Sequence, residues 1–297
     1  MNGIINILKP PGMTSHDVVS LVRKKANMKK VGHTGTLDPN AAGVLPICLG
    51  QGTKISQFLL DSKKKYRGEL TLGIETDTQD RYGTVLQERD VNVSTDEIIN
   101  TMMGFIGEYH QIPPMFSALK RDGKKLYELA REGVEIEREP RKVHIYDIRI
   151  LKIESTKVLF DVTCSKGTYI RTLCKDIGDR LGCGGMMSFL LRTATGNFSL
   201  STAITIDELR NHENIKEVLY PVDYPLEDIP KIILSPTAEK AAYNGNRVYS
   251  QDWKEPQENI SLGTLVRIYL EETFIGLATI KRDESKQSYI KFTRLFV

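Results

Sequence analysis

Strand-like and helix-like segments do not alternate one for one along this 297-residue chain, and that order restricts its fold more than any other feature. Residues 143–153 and 158–163 read as consecutive strands with only a short turn between them. Parallel strands would need a longer crossover, usually a helix. We therefore predict an α+β fold with a mixed, largely antiparallel sheet flanked by helices, rather than a doubly wound parallel sheet.

Cap and periodicity signals predict the other elements of the first 228 residues. Strands are expected over residues 4–8 and 66–74, where apolar side chains are bunched or alternate with polar ones. Helix starts are indicated by capping residues or by apolar residues at helical spacing. The expected helices begin at or just after Thr14, Thr53, Ser94, Lys124, Ile170 and Thr205.

The pattern of predicted elements changes from about residue 229, and three prolines at positions 221, 225 and 230 mark this boundary. A helix-like segment at 237–244 is followed by short strand-like segments at 264–270, 274–281 and 289–296. We predict two domains, comprising residues 1–228 and 229–297.

Composition sets broad limits on the class of protein. No apolar run approaches the roughly 18 residues of a membrane span, and no signal peptide is visible at the N-terminus. The four cysteines form no Cys-x-x-Cys pair, and the histidines show no zinc-site spacing. We expect a cytoplasmic protein with free thiols, no bound metal and no membrane partner.

The net charge is only +3, but the cations are clustered. Three basic clusters flank the most distinctive segments of the chain, and such clusters suit the phosphate backbone of RNA. The alternative is an ordinary solvated surface. The clusters are residues 23–30, 63–67 and 120–125.

Residues 32–39, with the sequence GHTGTLDP, place one carboxylate, Asp38, in a glycine-rich loop with no other acid nearby in sequence. Pro39 fixes its own φ and biases Asp38 away from the α region. A single, rigidly aimed carboxylate suits a nucleophile better than an acid–base pair. The alternative is a surface turn, since Gly, Asp and Pro are turn residues.

Several segments, in order, resemble the bacterial tRNA pseudouridine-55 synthases, the TruB family. The most extensive is residues 32–50 (GHTGTLDPNAAGVLPICLG). The others are residues 9–15 (KPPGMTS), 65–67 (KYR), 76–80 (TDTQD), 112–114 (IPP), 117–120 (SALK) and 164–172 (CSKGTYIRT). Separate motifs in a fixed order are far more specific than any single one. The resemblance implies a pseudouridine synthase fold and, from residue 229, a small PUA-like RNA-binding β-barrel.

The resemblance also implies an activity: a uridine at position 55, in the T-loop of tRNA, is flipped out and isomerised to pseudouridine. Asp38 would be the nucleophile, adding to either the sugar or the base. Arg171 lies at a helix start, where a cation is unfavourable without an anionic partner, and the resemblance makes that partner Asp38. Isomerisation needs no redox step, so no cofactor is expected.

The remaining candidates would bind the substrate. Tyr66 and Tyr169 would stack on the extruded uracil or act near its C5 proton, although core packing is the alternative for both. His33 would meet the flipped nucleotide or fill its gap, unless it only braces the loop. By resemblance, Leu190 would line the uracil pocket and Asp80 would bond within the cleft or to RNA. Lys9 would contact phosphate or brace the Asp38 loop.

Two other classes of function compete with this interpretation. A non-catalytic tRNA-binding or folding module would use the basic clusters, but it would not need Asp38, Tyr66 and Arg171 together. A retaining glycosidase would need a second carboxylate about 5 Å from the first, and the motifs offer cationic and aromatic neighbours instead. We therefore expect a monomeric enzyme acting on the T-arm of tRNA.

Overall fold

The computed structural model describes residues 1–254 and 260–296. In chain order, its strands are β1 (Gly3–Lys9), β2 (Val31–His33), β3 (Ala42–Leu49), β4 (Lys64–Leu72), β5 (Ile74–Thr76), β6 (Val85–Glu88), β7 (Gly107–Gln111), β8 (Lys120–Arg121), β9 (Lys124–Lys125), β10 (Arg141–Glu154), β11 (Lys157–Cys164), β12 (Gly185–Thr195), β13 (Phe198–Ser199), β14 (Lys231–Leu234), β15 (Val248–Tyr249), β16 (Leu265–Leu270), β17 (Thr273–Arg282) and β18 (Ser288–Leu295). The α-helices are α1 (Ser15–Ala26), α2 (Ser56–Asp61), α3 (Thr95–Met103), α4 (Leu126–Arg131), α5 (Ile170–Arg180), α6 (Ile206–Asn211) and α7 (Glu239–Tyr243).

A nine-stranded sheet forms the larger part of the fold, in the order β1-β3-β12-β4-β11-β10-β7, with β2 beside β3 and β13 beside β12. Strands β12 and β3 are parallel where Leu191 and Arg192 face Ala42 and Gly43. The other strand pairs described in this sheet are antiparallel. The predicted α+β fold with a mixed, largely antiparallel sheet is confirmed, as is the pairing of β10 with β11.

Strand β4 lies near the middle of this sheet, between β11 and β12. The predicted strand over residues 66–74 is wrong at its end, because β4 stops at Leu72 and Ile74 begins a separate strand, β5. Gly73 separates them with φ 88°, a conformation that an L side chain rarely adopts. The chain therefore leaves the sheet here, and β5 pairs with β6 in a hairpin.

Local capping determines where three of the helices begin. Thr14, Ser94 and Thr205 each accept a hydrogen bond from the backbone of the third helical residue, as the capping signals predicted. The predicted cap at Thr53 is wrong. Its hydroxyl donates to the Gly50 carbonyl at 2.8 Å within a 3₁₀ turn over Gly50–Ile55, so helix α2 starts only at Ser56. The helix expected from residue 124 likewise starts later, at Leu126.

Helix α5 matches its prediction and packs on the large sheet. Ile170, Leu173 and Ile177 are buried together with β4, β10 and β11 side chains in one apolar cluster. The helix ends at Arg180, and Gly182 follows it with φ 77°. Burial of this apolar face fixes the start of α5, and with it Arg171, against the sheet.

A second sheet of five strands, in the order β14-β16-β17-β18-β15, contains the strands predicted for the tail. It has its own apolar cluster, which includes Ile232, Val266 and Ile290. A further cluster combines Leu277 and Phe296 of the tail with side chains of the large sheet. Residues 255–259 and 297 of the predicted second domain lie outside the described residues. Within residues 1–254 and 260–296, no helix is long and apolar enough to cross a membrane.

Candidate active site

The loop that carries Asp38 connects β2 to β3 and is tied to its surroundings along its length. The Leu37 backbone N–H donates to the Ser15 hydroxyl at 2.9 Å, and the Thr34 N–H donates to the Pro46 carbonyl at 3.2 Å. The Ala41 N–H donates to the Asp38 carbonyl at 3.0 Å. The first turn of α1 and the strand β3 thus hold this loop in place.

Arg171 grips Asp38 with two nitrogens. Its Nε lies 2.9 Å from Asp38 Oδ2, and its Nη2 donates to Asp38 Oδ1 at 3.2 Å. The guanidinium also donates to the carbonyls of Thr78 (3.1 Å) and Phe116 (2.9 Å). The Arg171 side chain is only 5% exposed, whereas that of Asp38 is 38% exposed. A buried cation therefore aims a carboxylate that solvent or a substrate can still reach.

Asp38 is isolated in sequence but not in the fold. Asp80 Oδ2 lies 3.9 Å from Arg171 Nη1, and its side chain is 14% exposed. Its other oxygen, Oδ1, accepts bonds from the Thr78 hydroxyl (2.8 Å) and the Tyr82 N–H (3.0 Å). Asp80 thus both closes its own loop and faces Arg171, so two carboxylates share one buried cation.

Lys9 lies beneath the Asp38 loop and is fully buried. Its ammonium donates to the carbonyls of Pro10 (2.9 Å), Met13 (2.7 Å) and Pro39 (3.0 Å). Burial lowers the pKa of Lys9 to about 8, although the charge of Asp38 acts in the opposite direction. Of the two roles that the sequence left open, this geometry is that of a brace, since a buried ammonium does not reach a phosphate.

Tyr66 and Arg192 face each other across β4 and β12, where they are register partners. Tyr66 is partly buried, and burial raises the pKa of its phenol, which Arg192 opposes. Arg192 is 1% exposed and donates to three carbonyls: Val44 (2.8 Å), Gly35 (3.1 Å) and Thr36 (3.4 Å). Sequence reasoning assigned no role to Arg192, because a lone arginine in a strand gives no signal of such burial.

The other candidates lie around the same loop and helix. The His33 ring accepts the Gly35 N–H on Nδ1 at 3.3 Å, and burial lowers the pKa of His33, so a neutral ring carries its proton on Nε2. Tyr169 precedes α5, with its backbone held by the Gln111 side chain at 2.8 and 3.0 Å. Leu190 is the register partner of Gly68, two residues from Tyr66 on β4.

One of the predicted basic clusters, residues 63–67, is not a uniform exposed surface. The Lys64 ammonium is buried and donates to the carbonyls of Leu59, Leu60 and Ser62 at 2.5–3.0 Å, and burial lowers the pKa of Lys64 to about 8. Arg67 forms a two-point ion pair with Asp161. Lys63 and Lys65 remain exposed.

The described part of the chain contains no group of three or more His, Cys, Asp or Glu side chains that could hold a metal ion. The groups around Asp38 are instead a second carboxylate, buried cations and aromatic rings. Arg171, Lys9 and Arg192 outnumber Asp38 and Asp80, so the surroundings of the loop are electropositive. This arrangement suits a reaction in which negative charge develops on the substrate.

Comparison with known proteins identifies the family. A model described as the TruB family pseudouridylate synthase N-terminal domain matches residues 23–170, and one described as the tRNA pseudouridylate synthase B C-terminal domain matches residues 171–227. The tRNA pseudouridine synthase B of Alkaliphilus oremlandii (strain OhILAs) is 63% identical over 295 residues, which cover 99% of this chain and 98% of that relative. The one from Clostridium tetani (strain Massachusetts / E88) is 48% identical over 278 residues, with 93% and 95% covered.

Solved structures agree with this identification. The crystal structure of a Cbf5-Nop10-Gar1 complex matches 99% of this chain and 85% of that chain with a TM-score of 0.75 and 32% identity. A structure of an H/ACA RNP bound to a substrate RNA containing 2'-deoxyuridine matches with a TM-score of 0.73 and 29% identity, covering 99% and 85%. The chain therefore belongs to the TruB family of tRNA pseudouridine synthases.

Proposed function

We propose that this chain isomerises the uridine at position 55, in the T-loop of tRNA, with Asp38 as the nucleophile. The observation that carries this proposal is the clamp on Asp38. Its carboxylate is half-exposed while both of its oxygens are paired with the buried Arg171. A nucleophile must be accessible and correctly oriented at the same time, and this pair provides both.

The reaction exchanges one glycosidic bond for another. The C1′–N1 bond of uridine breaks, a C1′–C5 bond forms, C5 loses its proton and N1 gains one. Asp38 adds to the sugar or to the base in between. Both routes place negative charge on the uracil, and the buried cations Lys9, Arg171 and Arg192 around the loop stabilise that charge. Since no redox or phosphoryl-transfer step occurs, the chemistry requires no cofactor.

The other site residues receive roles that fit their positions. Tyr66 stacks on the flipped uracil or takes the C5 proton, and Tyr169 and Leu190 enclose the base. His33, neutral and at the edge of the loop, meets the displaced nucleotide with its ring face or its Nε2 proton. Asp80 and Lys9 act indirectly on Asp38. Asp80 contacts Arg171, and Lys9 donates to the carbonyl of Pro39.

The substrate partner in this proposal is the T-arm of tRNA, with the target base flipped out of the loop. The relatives are named as tRNA enzymes, and one structural neighbour is bound to a substrate RNA. Residues 1–228 would form the catalytic domain, and residues 229–297 a PUA-like RNA-binding domain. The second sheet with its own apolar cluster supports that division. We further propose a monomer in the cytoplasm, where the four free, buried cysteines fit a reducing environment.

The test is incubation of the purified protein with unmodified tRNA transcript, followed by carbodiimide labelling and primer extension. We expect a single pseudouridine stop, at position 55. The matched control is a transcript with cytidine at that position, which should give no stop. Binding of tRNA without any pseudouridine would favour a non-catalytic tRNA-binding module, and a stop elsewhere would contradict the T-loop assignment.

A further inference from the structure

Arg192 on β12 is a buried cation held by backbone carbonyls rather than by an acid. The residue is 1% exposed, and the ion pairs found among the described residues do not include it. Burying a charge without a counter-ion is costly, and burial lowers the pKa of Arg192 accordingly. What a buried arginine offers in such a place is five N–H donors in a fixed geometry, which can hold several acceptors at once.

Those donors join parts of the site that are far apart in sequence. Nη2 and Nη1 bind the carbonyls of Gly35 and Thr36, inside the loop that carries Asp38. Nε binds the carbonyl of Val44 on β3. Arg192 is also the register partner of Tyr66 on the neighbouring strand β4. This residue thus links the Asp38 loop and β3 through its side chain, and β4 through the strand pairing of β12.

The backbone around Arg192 is equally constrained. A Cβ on Gly43 would lie 2.4 Å from the Arg192 carbonyl oxygen and 2.5 Å from its nitrogen. Strands β3 and β12 therefore approach each other here more closely than any side chain would permit. Arg192 has little freedom to move away from the loop or from Tyr66.

Register partners on adjacent antiparallel strands have their side chains on the same face of the sheet, so the side chains of Arg192 and Tyr66 are neighbours. An arginine only donates hydrogen bonds, so a bond between the two would run from Arg192 to the Tyr66 oxygen. We propose that Arg192 is a positioning residue, which donates to the Tyr66 hydroxyl and so fixes Tyr66 and the Asp38 loop relative to each other, with both directed at the same base. This inference rests on the proposed function, because it assumes that Tyr66 acts on the uracil.

The first test uses Arg192→Lys and Arg192→Gln, which shorten the reach or remove the charge. We expect the single-turnover rate at saturating tRNA to fall by about 10- to 100-fold, while the Kd for tRNA changes by less than about threefold. The matched control is Arg267→Lys. Arg267 also binds two carbonyls, of Ile229 and Glu227, and a tyrosine hydroxyl, but in the second sheet.

The control should lower the unfolding midpoint and leave the single-turnover rate within about twofold. A merely structural role for Arg192 would make both arginine variants behave alike, with stability lost and the rate of the folded fraction unchanged. That result, or a parallel loss of rate and tRNA affinity, would overturn the proposal. Failure of the proposed function itself is distinguishable, because the unaltered protein would then make no pseudouridine at position 55.

A second measurement does not require an Arg192 variant to fold. Side-chain ¹⁵N–¹H spectra of the full chain resolve the Nε and Nη signals of a buried arginine. In Tyr66→Phe, which removes only the hydroxyl, we expect the Arg192 Nη signals to shift and the Nε signal, bonded to the Val44 carbonyl, to stay in place. Nη signals that do not move in Tyr66→Phe would show that Arg192 does not hold Tyr66.

Discussion

Replacing Arg171 by lysine tests the carboxylate clamp most informatively. Besides the Asp80 carboxylate at 3.9 Å, the guanidinium has four closer contacts, two with Asp38 and one each with the carbonyls of Thr78 and Phe116. A lysine keeps the charge, but its single ammonium cannot reproduce the planar fork. Arg171→Lys therefore loses one of the two Asp38 contacts and leaves one of the two carbonyls without its donor.

The expected magnitudes follow from those contacts. A hydrogen bond between charged groups contributes about 1.5–3 kcal/mol, which corresponds to a loss of about 10- to 150-fold in rate if Asp38 is misaligned in the transition state. The unpaired buried carbonyl costs about 1–3 kcal/mol of unfolding free energy. The affinity for tRNA should fall much less, because Arg171 is buried and does not reach the phosphate backbone.

The assay combines single-turnover pseudouridine formation at saturating tRNA, tRNA Kd by filter binding and urea unfolding. Arg180→Lys is the control, since Arg180 lies in the last turn of the same helix and stacks on Phe105 at 4.1 Å. We expect the control to retain its rate within about twofold. Parallel losses of rate and affinity in Arg171→Lys would make Arg171 a phosphate contact, and an unchanged rate would refute the clamp.

Three further results are expected. Burial raises the pKa of Asp176 to about 6, so the folded state binds the extra proton and stability should fall by about 1–3 kcal/mol as pH rises from about 4 to 6. Asp176→Asn should remove that slope in urea unfolding, and an unchanged slope would contradict the assignment. Gly43→Ala should lower the unfolding free energy by about 3 kcal/mol or more, because its Cβ meets the Arg192 backbone; a variant as stable as the wild type would refute this close approach. A fragment ending at Asp228 should fold less stably, since Leu277 and Phe296 leave a shared core, yet isomerise uridine at saturating tRNA with a raised KM; a folded fragment without turnover would refute the proposed division into domains.

Much of the fold was predictable because its signals are local. A capping box such as Ser94 with Glu97 fixes a helix start through hydrogen bonds between residues three apart. The apolar face of α5 predicted its extent in the same way. The predicted helix cap at Thr53 was wrong because the Thr53 hydroxyl donates to the preceding Gly50 carbonyl, within a 3₁₀ turn, and caps no helix. Such competition between local bonds is not visible in the residue types.

The candidate site was predictable only in part, because its geometry depends on long-range contacts. Asp38 and Arg171 are 133 positions apart, and only the resemblance to a known family linked them. No sequence pattern indicated that Asp80 would share Arg171. The burial of Lys64 and Arg192 against carbonyls was equally invisible, since their partners are backbone atoms brought together by the tertiary fold.

The most direct test of the central assignment is Asp38→Asn, measured with unmodified tRNA in single turnover and in binding. The change keeps the shape of the side chain and removes its charge and nucleophilicity. Asp80, 3.9 Å from Arg171, remains to partner the buried cation, so the variant should fold and bind tRNA with near-normal affinity. We predict no detectable pseudouridine at position 55, and substantial residual pseudouridine formation by the folded variant would contradict the assignment of Asp38 as the nucleophile.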